Sequence, residues 1–336
     1  MAESTLATTI TELRDAVAEY LGLTNYTGCS STEEDKVDKI IKKGLRQFYF
    51  PPQIGQEPPY QWSFLKPVCQ LTTIAPYSTG TIAVVITGTT VTLTTGVWPS
   101  WTATHGTLVV NNAEYEIASR TSDSQIELSA DWTEATETAE TFVLEHDANY
   151  DLPDDFGGIE GNITFVNDAN SKAPIRLVGE GEIRRLRASE PSTSATDPEF
   201  AAIRPKEQTT TTTGQRFEIM FWPAPDEAFT LEYKKVILPS ALVTTTVTHP
   251  YGGAIHAETL EASCLAMAEM QDDDKRATGV QMKYFISRLT ASIQADKKQF
   301  GVEYLGYNGD NSDAYASTRF DRLNNQCHPI YKGITY

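Results

Sequence analysis

The hydrophobic period of the chain changes twice, and that double change limits the fold more than any single motif. Residues 6–21 repeat at steps of three or four: Leu6, Ile10, Leu13, Val17 and Leu21 share one helical face, and Gly22 offers a stop. Ser30, Ser31 and Thr32 supply N-cap candidates ahead of Glu33 and Glu34, so a second helix is expected over 33–49. Its stripe is Val37, Ile40, Ile41, Leu45 and Phe48, and Pro51-Pro52 end it. After the aromatic segment Tyr60-Gln-Trp-Ser-Phe-Leu65 the period drops to two. The runs 81–86, 90–94, 107–110, 114–117 and 125–128 are β-branched and often alternate with polar residues. Gly88, Gly96, Gly106, Asn111-Asn112 and Asp123-Ser124 punctuate them, which reads as a small sandwich or barrel.

The pattern then turns mixed. Tyr150-Asp-Leu-Pro-Asp-Asp-Phe156 reads as a strand end and turn, with Gly157, Gly158 and Gly161 continuing it. Residues 163–166 read as a strand, 181–187 as a short helix and 189–214 as a Ser/Thr/Pro-rich loop. The segments 216–222 and 229–233, broken by Pro223-Ala-Pro-Asp226, predict a hairpin. Two helices close the pattern. One covers 253–270 with Ile255, Leu260, Cys264, Met267 and Met270 as apolar positions. The other covers 275–299 with Val280, Tyr284, Phe285, Leu289 and Ile293.

The expected fold class is therefore α+β: a bundle of N- and C-terminal helices, β hairpins, and an inserted all-β domain. The divisions are 1–67 (N-terminal helical part), 68–149 (inserted β domain), 150–300 (hairpins plus two closing helices) and 301–336 (extended arm). The arm has no amphipathic period yet carries Tyr304, Tyr307, Tyr315, Phe320, Tyr331 and Tyr336. Aromatics are scarce in segments that stay unfolded, so these six are expected to anchor on a partner surface.

Charge narrows the function. The 336 residues carry a formal net charge of -18. Residues 68–150 hold one basic residue, Arg120, against ten acidic ones, so the insert carries half of that excess. Gripping DNA by its phosphates needs a basic surface, and the one local candidate is Arg184, Arg185 and Arg187. No apolar run reaches the roughly 20 residues of a membrane helix, and no secretory leader is visible in the first residues, so synthesis in a cytoplasm is expected. Cys29, Cys69, Cys264 and Cys327 are far apart and are expected to be free thiols.

No phosphate loop, nucleophile elbow or dinucleotide fingerprint occurs. His105, His146, His249, His256 and His328 show no metal-ligand spacing. His256-Ala-Glu258 lacks the cysteine half of a deaminase signature, and Asp272-Asp-Asp274 lacks an EF-hand frame. The expectation is no catalytic, cofactor-binding or metal-ligating residue, no cofactor, and no enzyme.

Several segments together resemble the head-to-tail adaptor proteins of tailed bacteriophages. They are the N-terminal helical pair ending near Trp62-Ser-Phe-Leu65, then Tyr150-Asp-Leu-Pro-Asp-Asp-Phe156, then Ile175-Arg-Leu-Val178. They continue with Arg216-Phe-Glu-Ile-Met-Phe-Trp-Pro-Ala-Pro-Asp226, Thr230-Leu-Glu-Tyr233, Pro239-Ser-Ala-Leu242 and the two closing helices. The β insert and the long tail depart from the smallest members. The resemblance implies a structural protein of the virion neck, assembled as a homo-oligomeric ring, expected to be a dodecamer. Its partners would be the portal protein and the tail nozzle, tube or next neck protein, with double-stranded DNA passing through the lumen without specific binding and no membrane involved. Two alternatives stay open. One is a tail nozzle, hub or tube-initiating subunit. The other is a glycan- or host-surface-binding virion protein, with Trp98, Trp101, Tyr115 and Trp132 as a sugar platform.

Overall fold

The computed structural model describes residues 4–54, 58–166, 172–189, 195–207, 214–240, 249–272 and 279–299, and the backbone of a hairpin near the C-terminus. It is a mixed α+β protein. The chain divides into two compact units, Leu65–Pro239 and the pairing of Met1–Phe64 with Ser240–Tyr336.

The second of these is helical. Helix α1 is Ile10–Tyr20 and α2 is Ser31–Tyr49. A capping box starts α1. Thr9 Oγ1 accepts from the Glu12 amide at 3.2 Å, and the Thr9 amide donates to Glu12 Oε2 at 2.7 Å. That cap excludes Leu6 from the helix and leaves it 80% exposed, contrary to the periodic expectation. Arg14 donates twice to Asp38 at 2.8 Å and lies over the Tyr26 ring, which ties α1 to α2. Helix α5 (Gly253–Asp272) packs against α1, α2 and α6 (Val280–Gln299). With partners on several sides, α5 has no single apolar face. Its buried residues are mostly small, among them Ala262, Ser263, Cys264, Ala266 and Ala268. Gly44 of α2 meets it there. A Cβ on Gly44 would lie 2.7 Å from the Cys264 Cα, and Ser263 Oγ donates to the Gly44 carbonyl at 2.8 Å. The expected apolar faces need correction: Ile255, Val280 and Tyr284 are exposed, while Phe285, Leu289, Ser292 and Asp296 are the buried row of α6.

The other unit contains three sheets. Strands β1 (Val68–Thr72), β10 (Phe156–Phe165) and β14 (Thr230–Ile237) form one, in the order β1-β14-β10. Strands β9 (Asn149–Asp151), β11 (Arg176–Leu177), β12 (Phe200–Pro205) and β13 (Phe217–Trp222) form the second, in the order β11-β12-β13-β9. Tyr150, Phe156, Ile163, Phe221, Leu231 and Tyr233 belong to one core shared by both sheets. Helix α4 (Glu180–Ser189) packs on β12 and β13 through Ile183, which meets Ala202 and Met220. The hairpin expected from 216–222 and 229–233 is not formed. Its arms, β13 and β14, lie in different sheets, because the proline-bearing link carries the chain from one layer to the other. The loop expected over 189–214 contains β12, and the glycines expected to make a turn after Phe156 lie within β10. There, two register shifts flank the 158–160 pairing and Gly161 takes φ +80°.

The third sheet has seven strands. They are β2 (Ile82–Val84), β3 (Thr90–Leu93), β4 (Gly106–Val110), β5 (Ala113–Arg120), β6 (Gln125–Leu128), β7 (Glu137–Glu140) and β8 (Val143–His146). The order β7-β2-β3-β6-β5-β4-β8 places consecutive strands at opposite edges. Only Thr141 and Phe142 connect them, so the sheet must curl until its edges meet, as a half-barrel does. The inward residues alternate along each strand, and Trp98, Trp132 and Phe142 fill the interior with them. Two-residue turns at Asn111-Asn112, with φ +50° and +65°, produce the β4–β5 hairpin that the Asn-Asn pair signals. The insert was expected to begin at 68, but β1 pairs with β14 and not with this sheet.

Candidate functional site

A cluster of titratable groups lies where the half-barrel passes into the core sheets. Strand β8 ends at His146, and β9 begins three residues later. Between them Asp147 and Ala148 form a corner in which Ala148 holds φ +56°. His105 closes the four-residue helix α3 (Thr102–His105) directly before β4, and the β4–β8 register brings Gly106 opposite His146. The Asp147 amide donates to the His105 carbonyl at 2.8 Å. His105 Nδ1 then lies 3.1 Å from both Asp147 oxygens, and His146 Nδ1 lies 3.4 Å from Oδ1.

Further groups fix this geometry. Asp147 accepts from the Asn149 amide at 3.0 Å and from Asn149 Nδ2 at 2.8 Å. Asn149 Oδ1 accepts from Arg187 at 3.1 Å, and Arg187 also donates to the Phe221 carbonyl at 2.9 Å. The His146 ring stacks between His105, at 5.1 Å between centroids, and Tyr150, at 4.7 Å, with Trp101 edge-on. Burial pushes the His146 imidazole down to about 4, against the partial opposition of Asp147. The ring is thus neutral, and its Nδ1 accepts from the Ala148 amide at 3.1 Å. Burial likewise lowers Arg187 and pushes the Tyr150 hydroxyl up to about 12. That hydroxyl accepts from the Ile74 amide at 3.1 Å, so the strands entering and leaving the barrel are tied beside the same cluster. Among the described residues, His105, His146 and Asp147 are the one His/Cys/Asp/Glu group whose ligand atoms converge, all within 4.8 Å of one another.

The helical unit has its own polar centre. Asp296 is buried and accepts from Tyr60 Oη at 2.7 Å, the Ser63 amide at 3.0 Å and Ser63 Oγ at 2.5 Å. Trp62 donates to the Phe48 carbonyl at 2.7 Å, at the end of α2. The rings of Phe48, Trp62 and Phe64 surround His256, whose pKa burial lowers despite Asp296. Above this lies a groove of about 270 Å³ lined by Pro52, Ile54, Pro58, Tyr60, Ile293 and Lys297.

Of the expected partner-binding residues, Tyr304, Tyr307, Tyr315, Phe320 and Tyr336 lie outside the described residues. The Tyr331 backbone pairs with Ile334 in the C-terminal hairpin. The sugar-platform aromatics are core instead, since Trp98, Tyr115 and Trp132 are buried inside the barrel. The basic cluster is engaged as well: Arg184 pairs with Glu180, Arg185 with Glu182, and Arg187 with the corner just described. Cys29, Cys69 and Cys264 are free thiols, and Cys327 lies outside the described residues.

The segments that carried the family resemblance have structural work. In Leu152-Pro-Asp-Asp-Phe156 the two apolar ends are buried in the core. Asp155 pairs with buried Lys235 at 2.7 Å, and Asp154 pairs with Arg216 at 3.3 Å. Phe221 of the second segment is fully buried beside them.

Core sheets joined to a half-barrel, with helices on either side of them in the chain, make a mixed α+β protein. The SU10 adaptor protein family model matches residues 81–304, two thirds of the chain, and the chain belongs to that family of phage head-to-tail adaptors. No curated protein matches the chain. No helix among the described residues is long and apolar enough to cross a membrane.

Proposed function

We propose that this chain assembles into a ring beneath the portal of a tailed phage, extends the DNA channel and gives the tail its attachment platform. The observation that carries the reading is the family match, which spans the barrel, the core strands after β1 and both closing helices. Twelve subunits would match a portal of that symmetry, with side-by-side contacts repeated until they close. The role is structural and not catalytic. The net charge of -18, with the local arginines already paired, suits a wall that DNA must slide past. The six aromatics of 304–336 would anchor the arm on the portal or an adjacent neck protein.

Deleting 305–336 tests the attachment. The truncated chain should keep its circular dichroism spectrum and melting temperature and lose co-purification with the portal. A truncated chain that still binds the portal at full occupancy would overturn the role given to the arm.

A further inference from the structure

We propose that His105, His146 and Asp147 form a divalent-metal site, of the class that binds zinc, at the corner where the half-barrel joins the core.

Three observations carry this. First, the ligand types fit: two imidazoles and one carboxylate suit a borderline ion such as Zn²⁺, and leave the fourth position to water or to a partner's side chain. Second, the spacing fits. Bonds of roughly 2.0–2.1 Å to a tetrahedral ion put neighbouring ligand atoms about 3.3 Å apart. The His–Asp separations here are 3.1 Å from His105 Nδ1 to each Asp147 oxygen and 3.4 Å from His146 Nδ1 to Oδ1, and all three groups lie within 4.8 Å of one another. Third, the surroundings are those of a supported site. Asn149 donates twice to Asp147, and Arg187 holds Asn149 in turn, so the carboxylate is oriented from behind. His146 is buried, whereas the His105 and Asp147 side chains are 21% and 31% exposed, which gives an ion a way in.

Binding takes two exchanges. The His146 Nδ1 lone pair now accepts from the Ala148 amide, and the ion would take that amide's place. His105 Nδ1 donates to the Asp147 carboxylate, so its proton would leave for solvent or move to Nε2 as the ion binds. The bound ion would join the residue just before β4 to the last residue of β8 and the one after it, and so fix the angle at which the chain leaves the barrel for β9.

The test uses the full chain after chelator treatment. Zn²⁺ titrated by calorimetry should bind at one ion per chain with micromolar affinity or better, on the order of -8 kcal/mol. Co²⁺ in its place should give the visible absorption of a tetrahedral centre. His105→Ala and Asp147→Asn should each weaken Zn²⁺ binding at least tenfold, with circular dichroism unchanged. Should either variant unfold, the wild-type Co²⁺ spectrum still decides, because it reports imidazole and oxygen ligation without any substitution. The proposal is overturned by a wild-type chain that binds no ion. Thiolate-type Co²⁺ absorption, or equal Zn²⁺ affinity in a folded His105→Ala chain, would overturn it too, because the ion would then sit elsewhere.

Discussion

In the half-barrel, Leu144 of β8 meets Trp98, Trp132 and Phe142 in the interior, the last three from connections between strands. In the helical unit α2 and α5 approach closest where Gly44 meets Ser263 and Cys264, with almost no side chain between the backbones at that point. The barrel is held open by bulk and the helices are drawn together by its absence. Each region therefore fails under the opposite substitution. Removing volume harms the barrel, and adding volume harms the helices.

A matched pair of variants can break this comparison. Trp132→Ala should cost about 3–5 kcal/mol, since it empties the barrel where Tyr115 stacks on the indole at 4.3 Å between centroids. Gly44→Leu should cost about 1–3 kcal/mol or more by overpacking, because the new Cβ alone would collide with backbone. Both are measured by denaturant titration. A Gly44→Leu chain as stable as wild type would show that the helices can part without loss, and the contrast would fall.

A smaller effect comes from pH. Burial among aromatic rings lowers the His256 pKa below its ordinary value of about 6.5. The unfolded chain therefore takes up the proton first as pH falls. The stability linked to this residue is full above about 6.5 and declines as pH drops through that value toward the folded pKa. Thermal melts between pH 7.5 and 5.5 should show the decline, and His256→Leu should flatten its share of it. An identical slope in the variant would mean that other groups set the pH response.

The same contrast explains what could be read from the sequence. The barrel was legible because each strand buries one face, so Val91 and Leu93, or Ile126 and Leu128, alternate with polar neighbours. Helix α2 was legible for the matching reason, at period 3.6. Helix α5 was legible in its span, 253–270 against Gly253–Asp272, but not in its faces, because it is surrounded and its contacts use alanine, serine and cysteine, which carry little hydrophobic signal. Strand β10 was hidden by its glycines, which serve as bulges within a strand and not as a turn. The separation of β13 and β14 into different sheets is not legible, because both segments alternate and nothing in alternation says which sheet a strand joins. The histidine corner was invisible to any spacing rule, since His105 and Asp147 are 42 residues apart and meet through the β4–β8 register. The only local trace was the adjacency of His146 and Asp147 to the end of the β pattern.

The proposed ring docked on the portal can be tested directly. The direct measurement is electron microscopy of the purified chain mixed with the portal of the same phage. The account predicts a closed ring, coaxial with the portal and of matching twelve-fold symmetry, with an open central channel. A chain that stays monomeric beside the portal, or that stacks into open filaments without touching it, would contradict the account.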